Sequence, residues 1–331
     1  MTKPIHCRGI QLDTSPQTFG GLRDSANILY DAQALRERME HDGYLLFRGL
    51  VDREKVLEAR REILLKYATI GEIDSINHDV MDAVIQGDTF IDKVNLVAFT
   101  ESIRTGKAYQ DITNDPAILD FFQRMLGGKT RSFDFKWPRF VRPGEGTGIH
   151  SDNIYVTGGS KNVWTCWIPI GDVAIDEGPV VLLEGSHRSD KLLDYWAKDA
   201  DKDKVGWLSE DPLRTQQELG GRWLTSSFRA GDILCFDVRL VHASLDNRSP
   251  NRCRLTSDTR YHLEGEPLDP RWNGGNANPH QGGPKVFLPG LNPKIGNKEF
   301  EEEWKPVDAF GRLALHDVSH IRARTLASVA G

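Results

Sequence analysis

The chain has 331 residues, 39% of them hydrophobic, with 31 glycines and 42 basic against 48 acidic residues for a net charge of −6. This composition supports a packed core and excludes global disorder. The acidic balance lacks the Lys/Arg excess of a protein that lives on phosphate backbones, so no nucleic-acid partner is expected. No apolar run approaches the roughly 18–20 residues of a bilayer span, and the opening Met1-Thr-Lys-Pro-Ile-His has no apolar h-region. A soluble cytoplasmic protein with no membrane partner is expected. Length alone is compatible with two domains or with one large β domain. Cys7, Cys166, Cys235 and Cys253 form no CxxC pair, so any metal must be held by imidazole and carboxylate.

The first third reads as helical. Residues 31–42 place Leu35 and Met39 on one face and stop at Gly43, after which Tyr44-Leu-Leu-Phe-Arg-Gly-Leu reads as a short buried strand. Residues 53–67 carry Val56, Ala59, Ile63, Leu64 and Tyr67 at helical spacing. A further helix starts at Asn114-Asp115-Pro116 and buries Ile118, Phe121, Phe122 and Met125 before Gly127-Gly128. From residue 131 the period changes to two. Phe133, Phe135 and Trp137 alternate with polar residues, and strand-like runs follow at 163–170, 179–183, 222–228, 232–238 and 252–262. Short strands without alternating helices predict an antiparallel sandwich or barrel, not a doubly wound parallel sheet. The polar stretch 188–221 is expected to form a mobile surface loop. The tail after 264 is rich in Gly, Pro and Asn up to Gly296 and then acidic at 301–303, with no second hydrophobic core. A single domain over 1–331 is therefore expected: helical decoration over 1–130, the β core over 131–262, and an irregular extension over 263–331.

Ten histidines invite a search for ligand spacing. In Gly148-Ile-His150-Ser-Asp152, imidazole and carboxylate stand two apart, and strand positions i and i+2 project from the same face. Leu240-Val-His242-Ala-Ser offers a third ligand. Two His and one carboxylate on one face of an octahedron leave open positions, as in non-haem Fe(II) oxygenases. His262-Leu-Glu264 has the same local pattern with His280, His316 or His320 beyond it, and His41 and His78 are each followed by Asp. The surroundings favour the first set. Arg254 lies in the following strand-like run, where a planar, permanently charged group could grip the far carboxylate of a 2-oxo dicarboxylic acid chelating the metal. Arg252 is a possible substitute that strand alternation does not separate from Arg254. His187 reads as a structural or supporting histidine, and Gly144-Glu-Gly146-Thr-Gly148 as a turn rather than a phosphate loop.

Together, His150-Ser-Asp152, Leu183-Glu-Gly185-Ser186-His187, Gly231-Asp232, His242-Ala-Ser244, Asn247 and Arg254 make the chain resemble the phytanoyl-CoA dioxygenase (PhyH-like) family of Fe(II)/2-oxoglutarate oxygenases. The segment 42–52 is similar to that family's N-terminal portion, so the resemblance covers roughly 35–262. It implies a mainly β fold, a double-stranded β-helix (jelly-roll, cupin-like) core with N-terminal α-helices packed outside. It further implies iron held by His150, Asp152 and His242, with 2-oxoglutarate held by Arg254, a hydroxyl contribution from Ser244 and a wall from Trp167. The interval from His242 to Arg254 is one residue longer than the family pattern, and Ser151 stands where Gln is common. Asp152 is the carboxylate that related halogenases lack, so oxidation is favoured over halogenation. The expected activity is a dioxygenase that uses Fe(II), 2-oxoglutarate and O2 to oxidise a small organic molecule, releasing succinate and CO2. The alternatives are a cupin-like metal enzyme that does not use 2-oxoglutarate and a non-catalytic jelly-roll binding protein.

Overall fold

The computed structural model describes residues 4–86 and 94–274. The chain begins with a small hairpin, β1 (His6–Cys7) and β2 (Ile10–Gln11), followed by β3 (Phe19–Gly21). Helix α1 (Ala32–Asp42) starts where Asp31 accepts the amides of Gln33 and Ala34, and ends at Gly43 with φ 76°. Gly43 is also required by packing, since a Cβ there would lie 2.5 Å from His187 Nδ1. Next come strand β4 (Tyr44–Phe47) and the helices α2 (Arg53–Thr69), α3 (Leu96–Arg104), α4 (Lys107–Thr113) and α5 (Pro116–Leu126). Asp115 caps α5 with Pro in its first turn, where the missing amide costs nothing.

The remaining strands are β5 (Thr130–Ser132), β6 (Trp137–Val141), β7 (Trp164–Pro169), β8 (Val180–Leu183), β9 (Trp223–Thr225), β10 (Ile233–Asp237), β11 (His242–Ser244) and β12 (Arg254–Leu263). One sheet runs β4-β10-β7-β12-β5 with β6 also on β12, and the facing sheet runs β11-β8-β9-β3. Every pair is antiparallel except β3 with β9. This is the expected jelly-roll, and it recruits β3, β4 and Thr130 from the segment expected to be decoration.

Strand alternation sorts the side chains into layers. Outward residues of the larger sheet, among them Phe47, Cys166, Ile168, Cys235, Leu255 and Tyr261, pack with α1, α2, α4 and α5. Phe122 stacks on Tyr261 with ring centroids 4.4 Å apart. Inward residues of both sheets, including Tyr44, Leu46, Trp167, Leu182, Leu224 and Phe236, form the inter-sheet core. The outer face of the smaller sheet, with Val181, Leu183, Trp223 and Ala243, is covered by Leu192, Tyr195, Ala200 and Leu208.

That cover corrects one expectation. Residues 188–221 are not a mobile loop. They contain α6 (Leu193–Trp196), α7 (Ala200–Asp203) and α8 (Pro212–Leu219), and Tyr195, Leu208 and Thr215 are fully buried. The helices have four to eight residues, too short to display a period, and the aspartates that suggested solvent are in part caps: Asp199 and Asp211 accept the first amides of α7 and α8. The aromatic alternation at 133–137 is likewise not one strand. Phe133 and Phe135 lie between β5 and β6, and with Trp137 and Trp272 they form a separate buried cluster. The acidic run 301–303 and the histidines His280, His316 and His320 lie outside the described residues.

Candidate metal centre

The segment leading to His150 lies beside β11. His150 and His242 exchange both backbone hydrogen bonds, at 2.9 and 2.8 Å, which sets their imidazoles side by side with ring centroids 4.2 Å apart. The 3-10 turn Asp152–Tyr155 then bends the chain inward and leaves Asp152 only 1% exposed. One ligand atom from each of His150, Asp152 and His242 lies within 4.8 Å of the other two.

The surroundings dictate how these groups present themselves. Nδ1 of His150 faces the Gly148 carbonyl at 2.8 Å, and Nδ1 of His242 faces the Leu240 carbonyl at 2.9 Å. A carbonyl can only accept, so both rings carry hydrogen on Nδ1 and turn the Nε2 lone pair toward Asp152. Burial, reinforced by the neighbouring His150, pushes His242 down to about 4, so its ring is neutral at physiological pH. Burial opposes ionisation of Asp152, but Arg260 and then His242 beside it hold the carboxyl well below its usual range. Arg260 Nη2 donates to Asp152 Oδ1 at 2.6 Å, and Thr165 Oγ1 donates to Oδ2 at 2.6 Å. Two imidazole Nε2 atoms and one carboxylate, each group oriented by a second partner, are a hard N/O donor set that fits a first-row divalent metal.

The supporting frame uses the remaining motif residues. Ser186 donates to the Leu183 carbonyl and accepts the Val241 amide, tying the approach to β11 onto β8. Asn247 fastens the start of β12 by donating to the carbonyls of Val141 and Arg252, and Asp232 accepts the Gly49 amide and the Arg48 guanidinium. His187 donates Nε2–H to the Glu40 carbonyl at the end of α1, a structural role apart from the triad. Glycines 144–148 form a turn rather than a phosphate loop, and a Cβ on Gly148 would lie 2.2 Å from Trp207. The insertion therefore presses directly on the His150 segment: Leu208 donates to the Ile149 carbonyl and Trp196 Nε1 donates to Ser151 Oγ.

Arg254 opens β12 and is 4% exposed. Nη1 donates to Thr256 Oγ1 at 3.2 Å, while Nε is buried with no hydrogen-bond partner among the described residues. Burial lowers Arg254 to about 10, which still leaves it charged at neutral pH. Arg252 lies before the strand, and its Nε donates to the Asp82 carbonyl and faces Glu177 at 3.5 Å. Ser244 sits two residues beyond His242 on the same face of β11. Its Oγ accepts the Thr147 amide at 2.7 Å, which leaves its own hydrogen to donate. Trp167 faces the inter-sheet core two residues beyond Thr165 and packs on Phe228 at 4.7 Å.

Sequence reasoning did not single out Thr165 or Arg260 as partners of Asp152. Thr165 carries no motif, and Arg260 is one of several charged residues in the strand-like run 252–262. The thirteen residues from Asp152 to Thr165 become a hydrogen bond only through the fold. Replacing Thr165 by valine, which leaves Asp152 Oδ2 without its buried donor, is expected to weaken Fe(II) binding by about 10–100-fold. Competition against a fluorescent chelator measures this, and a change under twofold would remove Thr165 from the site's support.

A family model described as phytanoyl-CoA dioxygenase (PhyH) matches residues 39–255. The chain belongs to this family of Fe(II)/2-oxoglutarate-dependent oxygenases and is an oxidoreductase of the 2-oxoglutarate-dependent dioxygenase class. Two curated relatives are the 1-deoxypentalenic acid 11-beta-hydroxylases of Streptomyces exfoliatus and Streptomyces arenae. They are 27% identical over 254 residues and 25% identical over 260 residues, each alignment covering 73% of this chain and 85% of the relative. Among solved structures, the apo form of EctD from S. alaskensis is similar in fold with a TM-score of 0.50 at 14% identity, over 83% of this chain and 94% of that one. No helix among the described residues is long and apolar enough to cross a membrane.

Proposed function

We propose that the protein hydroxylates a small organic molecule, with iron(II) held by His150, Asp152 and His242 and 2-oxoglutarate held by Arg254 and Ser244. The balance is one substrate C–H, one O2 and one 2-oxoglutarate giving one C–OH, one succinate and one CO2. The carrying observation is the buried guanidinium of Arg254, with an unpartnered Nε, in the same inter-sheet interior as two Nε2 lone pairs and a carboxylate. A buried, unpaired charge is expensive, and a carboxylate ligand relieves that cost. Bound iron with its co-substrate supplies the oxidising power; the chain's own residues bind, orient and seal. The carbonyls of Gly148 and Leu240 fix the imidazole tautomers, Thr165 and Arg260 hold the carboxylate, and Trp167 walls the co-substrate. Helices α6–α8 back the His150 segment.

Hydroxylation is also the reaction for which both curated relatives are named. A CoA ester would call for a gathered cluster of cations. Four of the five basic residues of α2 are instead engaged separately: Arg53 with Asp172, Lys55 with Asp115, Arg60 with the carbonyls of Met81 and Ile170, and Lys66 with Glu62. Under anaerobic conditions, Fe(II) and 2-oxoglutarate together should produce a weak visible charge-transfer band that neither gives alone. With O2 and a screened substrate panel, succinate should form in step with hydroxylated product. Purified protein that holds Fe(II) and yet binds no 2-oxoglutarate would refute this reading.

A further inference from the structure

Arg260 does more than its bond to Asp152 requires. It is 5% exposed, and only Nη2 is engaged by a carboxylate; Nε and Nη1 are both buried with no hydrogen-bond partner among the described residues. A guanidinium is a rigid five-donor fork, and stranding two of its nitrogens in the interior is costly unless something else completes the set. We propose that Arg260 binds a carboxylate on the primary substrate, so that the enzyme acts on hydrophobic monocarboxylic acids. This rests on the functional reading above and deepens it.

Two further observations point the same way. The first is charge. On the inner faces around the centre, Arg139 is matched by Asp258 at 2.8 Å and Arg260 Nη2 by Asp152, while Arg254, which feels Asp258, Glu177 and Glu145, keeps an unpartnered Nε for the co-substrate. With Arg139 committed to Asp258 and Arg254 to the co-substrate, Arg260 is the guanidinium with charged donors left for a substrate anion. The second is position. Arg254 and Arg260 are six residues apart on the same face of β12, about 20 Å along the strand at roughly 3.3 Å per residue. A five-carbon co-substrate gripped by Arg254 leaves Arg260 at the opposite end of the centre. There its Cζ lies 4.4 Å from the Trp137 ring centroid, and Trp137 packs on Phe135 and Trp272. A cation set against an aromatic wall suits an anionic head on an apolar body. Arg260 lies beyond the residues matched by the family model.

The test uses the full chain loaded anaerobically with Fe(II) and 2-oxoglutarate. Adamantane-1-carboxylate, cyclohexanecarboxylate and decanoate are titrated calorimetrically against their primary amides. At least one acid should bind roughly 10- to 100-fold more tightly than its amide, the range of a charge-assisted hydrogen bond. In Arg260→Met that preference should fall to within about threefold, and Arg260→Lys should restore part of it. The charge-transfer band separates the two proposals. If it never forms in the wild type, the functional reading fails. If it forms and the wild type binds none of the acids, or acids and amides alike, this inference alone is overturned. It is overturned equally if Arg260→Met keeps the acid preference, or loses affinity for 2-oxoglutarate and not for the acids. Should both variants lose iron, the wild-type comparison of acid with amide decides.

Discussion

Replacing His242 by alanine is expected to abolish tight Fe(II) binding and to lower 2-oxoglutarate turnover by more than about 100-fold. Loss of an outer partner of a metal ligand already costs about 10–100-fold, and this substitution removes the ligand itself. His242 contributes one of two Nε2 lone pairs, and its ring is neutral because burial and His150 hold it down to about 4. Among the described residues no neighbouring histidine stands ready to replace it: His187 is committed to the Glu40 carbonyl, and His262 lies at the far end of β12 against Phe133. The check is Fe(II) affinity by chelator competition together with the charge-transfer band. An alanine variant that retains both would remove His242 from the metal site. Folding is monitored in parallel; the bridge between His242 and His150 is made by backbone atoms, which alanine retains.

Arg254→Met is expected to raise the KM for 2-oxoglutarate by roughly 30-fold to several thousand-fold, while Arg252→Met leaves it within about threefold. The larger figure follows from the cost of removing one partner of a buried, hydrogen-bonded charge pair, about 2–5 kcal/mol. The smaller follows from location, since the Arg252 side chain is 46% exposed and occupied by the Asp82 carbonyl and Glu177. Arg254→Lys should recover little, because a single ammonium cannot reproduce a two-point contact with a carboxylate. Initial rates at varied 2-oxoglutarate measure all three. Equal effects at 252 and 254 would mean that the co-substrate is gripped elsewhere.

Much of the fold was legible because its signals are local. Gly43 and Asp115 mark helix ends through backbone conformation and capping, and the switch from a period near 3.6 to a period of 2 around residue 131 announces the sheets. Part of the candidate centre was legible for the same reason. A two-residue spacing in extended chain places His150 and Asp152 within reach of one point, and the absence of a CxxC pair left imidazole and carboxylate as the donors. The insertion 188–221 was misread because four-residue helices carry no periodicity and because aspartates that cap helices look, in sequence, like aspartates that face water.

By itself, then, the sequence determined an antiparallel β class and the residue types available to a metal, which rest on short-range pattern and composition, while its motifs carried the family resemblance that implied the jelly-roll. Only the tertiary structure separated Arg254 from Arg252 in burial and partners. Alternation along one strand puts both on the same face, and it is the start of β12 at Arg254, fastened by Asn247, that buries one guanidinium and leaves the other at the surface. Only the tertiary structure also joined Thr165 and Arg260 to Asp152. These contacts span 13 and 108 residues of chain, and such distances are closed by sheet pairing and burial, which no local pattern records.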